Sequence, residues 1–384
     1  MGEGSFIFAL PILVAGTILF LGWMALLLVG SRYWPQERNS CQFSVSLIVP
    51  LFREDPEIFR TCLSSWARSG VTEIIGVIHT ADESSADVFR EFQQRDPRAK
   101  LMHIDVASKR VALEAGLRVA TGELIALVDS DTEWPSDVLQ DLIAPFKDAS
   151  TGAVTPRLLT RKTDTFSRKL YMTVQENRCF FENRFLSVAT KKFPVITGGT
   201  ALYRRQILLE CLDGFLEQKF FGKTVIGDDD AFLAKQMQNR SWVTYQSSAY
   251  VMTYTYPDLR HLWLQWVRWG RSIWRDNTGM IVNLHTWKHS LIFGLFLCLK
   301  VLQTTSGMLG PLYFLFLLAM RQWPAAVMIL VWWIGRGLTL FLLHRCREKI
   351  DLEFLPAYLV SNLLMSAAKL YAGLTVTETG WMTR

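Results

Sequence analysis

The 384-residue chain has little cysteine and no cysteine pattern. Cys41, Cys62, Cys179, Cys211, Cys298 and Cys346 form no C-x-x-C pair, and no histidine stands at a zinc-like spacing. That excludes a disulfide framework and a zinc module, and it fits a central region facing the reducing cytosol. Charge is also scarce, at 20% of residues. The net charge of +6 is not gathered with aromatics on a polar domain, so nucleic acid is not the expected partner. Arg32, Arg38, Arg268, Arg271, Arg275, Arg345 and Arg347 instead flank apolar or aromatic stretches, as in a membrane protein. No internal repeat or low-complexity tract is visible.

Apolar surface is what the chain has in excess: half of its residues are hydrophobic, with 24 Phe and 14 Trp. Residues 5–30 run 26 positions without a charge, enough to cross a bilayer. No basic segment precedes them, unlike a cleaved signal peptide. Arg32 and Arg38 follow, so residues 1–40 read as a membrane helix with a basic linker that keeps the next domain cytoplasmic. Apolar runs near 288–305, 308–320, 324–344 and 354–374 predict about four spans within 287–375, the second short enough to be re-entrant. The chain is therefore expected to be a multi-pass protein, with the plasma membrane as its location. Lys300, Arg336 and Lys369 lie inside these runs, where charge is costly unless it faces a cavity, a partner or the interface. Four spans bring the tail back to the cytoplasm but leave the basic stretch His344–Lys349 outside, and three do the reverse.

Residues 41–255 read as an α/β domain. Val45–Val49, Glu73–Ile78 and Leu124–Val128 are short buried strands. A helix starts near Ser108, with Leu113 and Leu117 one turn apart. Strands alternating with helices predict a mostly parallel sheet covered on both faces, with ligands beyond its C-terminal edge.

That edge is where Asp129-Ser130-Asp131 falls. Two acids so close repel unless a cation is near them, and oxygen-only ligands select Mg²⁺ or Mn²⁺. Asp129 and Asp131 are thus candidate metal ligands, against the plainer reading of a surface turn. Ser108-Lys109-Arg110 opens the preceding helix, where basic side chains oppose the dipole unless a phosphate is bound. Gly227-Asp228-Asp229-Asp230 opens an apolar helix with more acid than a cap needs. A carboxylate crowded by others suits a general base. Gln265, Arg268 and Trp269 share one face of a helix within 256–286, offering a stacking plane and a diphosphate clamp. Around them Leu262, Trp263, Leu264, Trp266 and Trp274 read as an interfacial amphipathic helix. By composition, the tail at 376–384 is a frayed end.

In this order the pieces resemble family-2 glycosyltransferases of the hyaluronan, chitin and cellulose synthase kind. The resemblance runs over V-S-L-I-V-P, S-K-R, D-S-D, T-G-G-T-A-L-Y-R at Thr197–Arg204, G-D-D-D and Q-W-V-R-W. Val267–Asn277 is similar to fungal polysaccharide synthases and some bacterial capsule synthases. The ending W-M-T-R is similar to W-G-T-R of hyaluronan synthases, with Met382 in place of glycine. The resemblance implies a nucleotide-sugar transferase domain of the GT-A kind between membrane helices. It implies a UDP-sugar donor, a glycan acceptor and Mn²⁺ or Mg²⁺. Asp129 and Asp131 would hold nucleotide and metal, and Lys109 the donor phosphates. The base would be Asp230, counting back from Leu233, or Asp229, counting from Gly227. Gln265, Arg268 and Trp269 would shape the acceptor and diphosphate site, while Trp381 and Arg384 would close over the nucleotide as a lid. Glu54 and Asp82 stand nearest to the acids that bind the base and ribose in this family, and His79 occupies the position after the second strand where an acid is usual.

The leading expectation is a processive polysaccharide synthase that transfers with inversion and exports its product, with membrane lipid around it. A non-processive lipid glycosyltransferase, acting on ceramide or a polyprenyl phosphate, shares the D-x-D and Q-x-x-R-W logic. A non-catalytic transporter or receptor would release no nucleotide at all.

Overall fold

The computed structural model describes residues 3–225 and 227–378. They fall into two units, each described by itself. A helical unit takes the chain up to Arg32, Thr163–Phe185 and Tyr256–Val376; an αβ unit takes Tyr33–Lys162 and Leu186–Thr255.

The chain opens on α1 (Glu3–Gly30), in the helical unit. The αβ unit then runs β1 (Val45–Leu51), α2 (Pro56–Ala67), β2 (Glu73–His79), α3 (Glu83–Gln93), β3 (Ala99–Ile104), α4 (Lys109–Val119) and β4 (Leu124–Val128). After β5 (Thr132–Glu133), α5 (Val138–Ile143) and β6 (Thr151–Thr160), the helices α6 (Phe166–Asn177) and α7 (Arg184–Ala189) intervene. The unit closes with β7 (Thr200–Arg204), α8 (Arg205–Glu210), the hairpin of β8 (Lys219–Phe220) and β9 (Lys223–Thr224), α9 (Asp229–Met237) and β10 (Trp242–Thr253).

The main sheet has the order β3-β2-β1-β4-β7-β6-β10-β5. Its first four strands are parallel, and β1, β2 and β4 are the nearly continuous apolar runs expected of strands covered on both faces. β7 lies antiparallel to both β4 and β6, a reversal the sequence reading does not contain. Gly116 lets α4 close on the sheet: a Cβ there would stand 2.5 Å from Cγ2 of Ile48. Glu73, buried in β2, loses solvation. Lys100, Ser46 and Thr121 nonetheless hold its carboxyl down at about 2 and tie β1 to the start of β4.

The helical unit continues with α10 (Leu259–Val282), α11 (Leu284–His289), α12 (Leu291–Ala319), α13 (Trp323–Glu348) and α14 (Leu355–Leu374). The sequence places two spans at 288–305 and 308–320. They are one continuous helix of 29 residues that absorbs Pro311, so the C-terminal apolar helices number three among the described residues. A proline inside such a helix is tolerated where neighbours re-satisfy the freed carbonyl. By length and apolarity, α12 and α13 could cross a membrane. The expected cytoplasmic domain at 41–255 is also interrupted. Thr163–Phe185 packs in the helical unit because Phe180 and Phe181 bury against Leu340, Phe341 and Tyr358. The helix passes through a π-helical turn at Arg178–Asn183 on the way.

In α10 the side chains of Arg271 and Arg275 are buried. Arg271 donates to Oγ1 of Thr375 at 2.8 Å, Arg275 to the carbonyl of Val376 at 3.2 Å, and the Trp274 indole to the carbonyl of Lys369 at 2.9 Å. α10 thus lies along α14 and the segment just after it.

Candidate active site

The site begins where β4 ends. Asp129 leaves the strand with its backbone N–H on the carbonyl of Gly199, 3.1 Å away, so β7 fixes the point at which the acid emerges. Two tryptophans set the following turn: Trp66 donates to the carbonyl of Thr132 at 2.8 Å, and Trp134 to Oγ1 of Thr200 at 2.9 Å. Thr253 Oγ1 donates to Asp131 at 3.3 Å, which directs that carboxylate toward β10. Ser130 points the other way and donates to Glu54.

Lys109, first residue of α4, crosses to the acids. Its ammonium lies 2.8 Å from Asp129 and 3.1 Å from Asp229. Burial works against a charged lysine, but Asp129 and Asp229 together hold it protonated, above its ordinary range. Burial alone would raise the Asp229 carboxyl; the Lys109 ammonium, helped by Arg110, pulls it below the usual carboxylate value instead. The next acid is placed differently. Asp230 accepts from the N–H of Ala231 at 2.9 Å, and its other oxygen, like one of Asp129, faces Gly198. A Cβ on Gly198 would stand 3.5 Å from Asp230 and 3.8 Å from Asp129, so any larger side chain there would occupy the space between the two acids. Lys109, Asp129, Thr197, Gly198, Asp229 and Asp230 line one cavity, floored by Leu113, Tyr203 and Leu233.

The role of Arg110 is not read from the sequence. It is 1% exposed, lies between the rings of Phe215 and Phe232, and donates to the carbonyls of Phe215 and Gly227 and to Gln218. It also reaches the carbonyl of Asp228, which sits in the left-handed region at φ 61° and turns the chain into α9. The signal available was only the pairing with Lys109, and adjacent helical positions diverge by 100°. Arg110→Lys should loosen this loop and displace Asp229 and Asp230. Misplacement by about 1 Å costs on the order of 10²-fold in rate, so turnover should fall about that much while the protein stays folded. Turnover unchanged, with the melting temperature alone lowered, would show that the clamp is structural only.

The αβ unit thus unites Lys109, Asp129, Asp229 and Asp230, with Asp131 and Glu54 joined to the same loop. Asp82 does not join them: it is 5% exposed, caps α3 through the N–H of Ser85, and accepts from the N–H of Arg53. It therefore supports the loop that carries Glu54. His79 stacks edge-on with Phe52 at 5.5 Å. Gln265, Arg268 and Trp269 lie on α10 of the helical unit, where the Trp269 ring is 5.8 Å from Tyr171. Trp381 and Arg384 fall outside the described residues. For a hard divalent ion the carboxylates of Asp129 and Asp131 fit in chemistry. Among the described residues no cluster of three His, Cys, Asp or Glu could hold a metal, so the remaining ligands would be substrate oxygens and water.

Residues 46–212 match the sequence profile of glycosyl transferase family 2. Over that stretch the chain is similar to glycosyl transferase family 2. Similarity over most of the chain extends to a type 2 glycosyltransferase of Pyricularia oryzae, 24% identical over 92% of this chain and 77% of that protein. An N-acetylglucosaminyltransferase of Rhizobium meliloti is 28% identical over 89% of this chain and 81% of its own. Among solved structures, the mannosyltransferase PcManGT of Pyrobaculum calidifontis, in complex with GDP-Man and Mn²⁺, superposes with a TM-score of 0.62. It covers 91% of this chain and 97% of its own at 18% identity, and the fold is accordingly of the GT-A kind, followed by C-terminal apolar helices.

Proposed function

We propose that this protein is a membrane polysaccharide synthase that transfers a sugar, with inversion, from a UDP-sugar to a growing glycan and exports the product. The observation that carries the transfer reaction is the arrangement of Lys109 between Asp129 and Asp229, with Asp230 beside them at Gly198. A lysine held between two carboxylates is a ready partner for an incoming diphosphate, which would take over part of its charge. Asp230 would accept the proton of the acceptor hydroxyl. The hydroxyl oxygen attacks the anomeric carbon, and the bond to the diphosphate breaks with its electron pair leaving on UDP. Mn²⁺ or Mg²⁺, held by Asp129 and Asp131, would supply Lewis-acid stabilisation of the departing diphosphate. Glu54 would face the nucleoside, and Asp82 would act through the Arg53–Glu54 loop. Gln265, Arg268 and Trp269 would bind acceptor and diphosphate, with Trp381 and Arg384 as the lid.

The membrane reading rests on α1, α12 and α13. Two crossings by α12 and α13 return the chain to the side on which α12 starts. His344–Lys349 then lies on the cytoplasmic side, as the positive-inside rule asks, and so does the tail. On this reading α14, which packs along α10, would not cross, and neither the basic segment nor the tail would need to leave the cytoplasmic side. Relatives named type 2 glycosyltransferase and N-acetylglucosaminyltransferase support a sugar-transferring role, and the latter makes UDP-N-acetylglucosamine the first donor to try. A nucleotide-release screen of purified protein with Mn²⁺ tests the donor class. It should compare UDP-N-acetylglucosamine, UDP-glucose, UDP-glucuronate, UDP-galactose and GDP-mannose. Release from at least one UDP-sugar is expected; release from GDP-mannose alone would refute the UDP assignment.

A further inference from the structure

The hairpin of β8 and β9, in the αβ unit, has an unfavourable residue at its turn. Lys219 pairs with Thr224 and Phe220 with Lys223, which leaves Phe221 and Gly222 as a two-residue loop. Both have positive φ, 47° and 78°, as in a type I′ turn. Asn-Gly is the pair this turn prefers, because asparagine tolerates the left-handed region and a bulky side chain does not. The chain carries phenylalanine at the first position instead. It gains no burial in return for that strain. Phe221 is 81% exposed, its ring edge-on to Phe220 at 4.7 Å. A strained backbone under an exposed aromatic points to a role outside the fold itself.

The charges behind the tip select the partner. Cross-strand partners share a face, so Lys223 lies beside Phe220 on one face of the ribbon and Lys219 beside Thr224 on the other. Both lysines are exposed. The apolar tip thus has a cation behind it on either face, with Glu217 farther back in the chain. A sugar chain stacks on one face of such a ribbon. A bilayer surface surrounds it: the aromatic enters the acyl boundary while the lysines stay among the headgroups. Anionic headgroups attract both lysines.

We infer that the β8–β9 hairpin is a lipid-docking element whose Phe221 tip enters the surface of an anionic bilayer. This rests on the membrane reading of α12 and α13, which tethers the αβ unit to a bilayer and lets a weak contact suffice. It does not rest on the transfer reaction. The root of the hairpin joins the candidate active site. The N–H of Val225 bonds to the carbonyl of Gln218 at 2.9 Å, and the Gln218 side chain accepts from Arg110 at 2.7 Å. The same guanidinium holds the carbonyl of Gly227, so a lipid contact at the tip bears on the loop that leads into Asp229 and Asp230.

The test uses full-length protein in phosphatidylcholine nanodiscs with and without phosphatidylglycerol. Each is doped with a phosphatidylcholine carrying a photoactivatable diazirine high in its acyl chain, and adducts are mapped by peptide mass spectrometry. Adducts on α12 and α13 report separately on the membrane reading. Adducts on residues 219–224 are expected, about tenfold more abundant with phosphatidylglycerol than without. Lys219→Gln and Lys223→Gln should each lower them about fivefold. Phe221→Asn should lower them at least about tenfold without lowering the melting temperature, since Asn-Gly suits the turn better. Phe221→Leu, which keeps the tip apolar, should retain them. Labelled α12 and α13 beside an unlabelled hairpin would overturn the proposal. So would adducts that Phe221→Asn leaves unchanged or that need no phosphatidylglycerol. Unlabelled α12 and α13 would overturn it together with the membrane reading. Hairpin adducts displaced by an N-acetylglucosamine oligomer would overturn it in favour of an acceptor contact.

Discussion

Asp230→Asn should lower sugar transfer by about 10²- to 10⁴-fold, the range expected when a general base is removed, while donor affinity changes less than about threefold. The reason lies in how the two neighbouring acids are employed. Asp229 is committed to Lys109 at 3.1 Å, and that contact holds its carboxyl below the ordinary carboxylate range, which makes it a poor proton acceptor. Asp230 is half-buried, bonded to the N–H of Ala231, and turned toward Gly198 and Asp129. Asp229→Asn should act otherwise, weakening donor binding and stability through Lys109. Initial rates against donor and acceptor concentration separate the two. Transfer retained within threefold in Asp230→Asn, and lost in a stable Asp229→Asn protein, would move the base to Asp229.

Lys109→Met should destabilise the αβ unit by about 3–5 kcal/mol, the usual cost of leaving a buried carboxylate without its partner. The double variant Lys109→Met/Asp229→Asn should recover much of that loss, because the stranded charge is gone. Denaturant unfolding of the four proteins in detergent closes the cycle. Simple additivity would show that Lys109 and Asp229 are not coupled. The pH dependence has a definite sign. Asp229 is depressed in the folded state, so its contribution is present above the ordinary carboxylate value of 3.8 and disappears as pH falls through the lowered one. Lys109 is raised, so its contribution is full below the ordinary 10.5 and fades as pH climbs above it. Native stability from this pair should therefore be flat from about pH 5 to 9 and fall at both ends, and Lys109→Met should remove the alkaline limb.

The parallel half of the sheet was legible because buried parallel strands must be apolar on both faces, and Val45–Val49, Glu73–Ile78 and Leu124–Val128 are. Asp129, Asp229 and Lys109 could be named because acids and a lysine at strand and helix ends have few structural uses. Their mutual pairing could not be read, since it depends on α4 and α9 meeting across β4. The capping role of Asp82 was not legible for a related reason: an acid three residues past a strand is an N-cap as readily as a ligand, and only the N–H groups of Ser85 and Arg53 show the cap. The helical unit was harder. Hydropathy cannot tell a proline inside a helix from a break between two helices, so α12 was split. Nor can it see that Phe180 and Phe181 draw Thr163–Phe185 out of the αβ sequence and into the other unit.

The most direct test of the whole account is product length. Purified protein in proteoliposomes, given its UDP-sugar and Mn²⁺, would be assayed for radiolabelled product by gel and by lipid extraction. The account predicts a polymer of many sugars that stays in the aqueous phase and shortens on glycosidase digestion. A single sugar attached to an extractable lipid would contradict it and assign the site to lipid glycosylation.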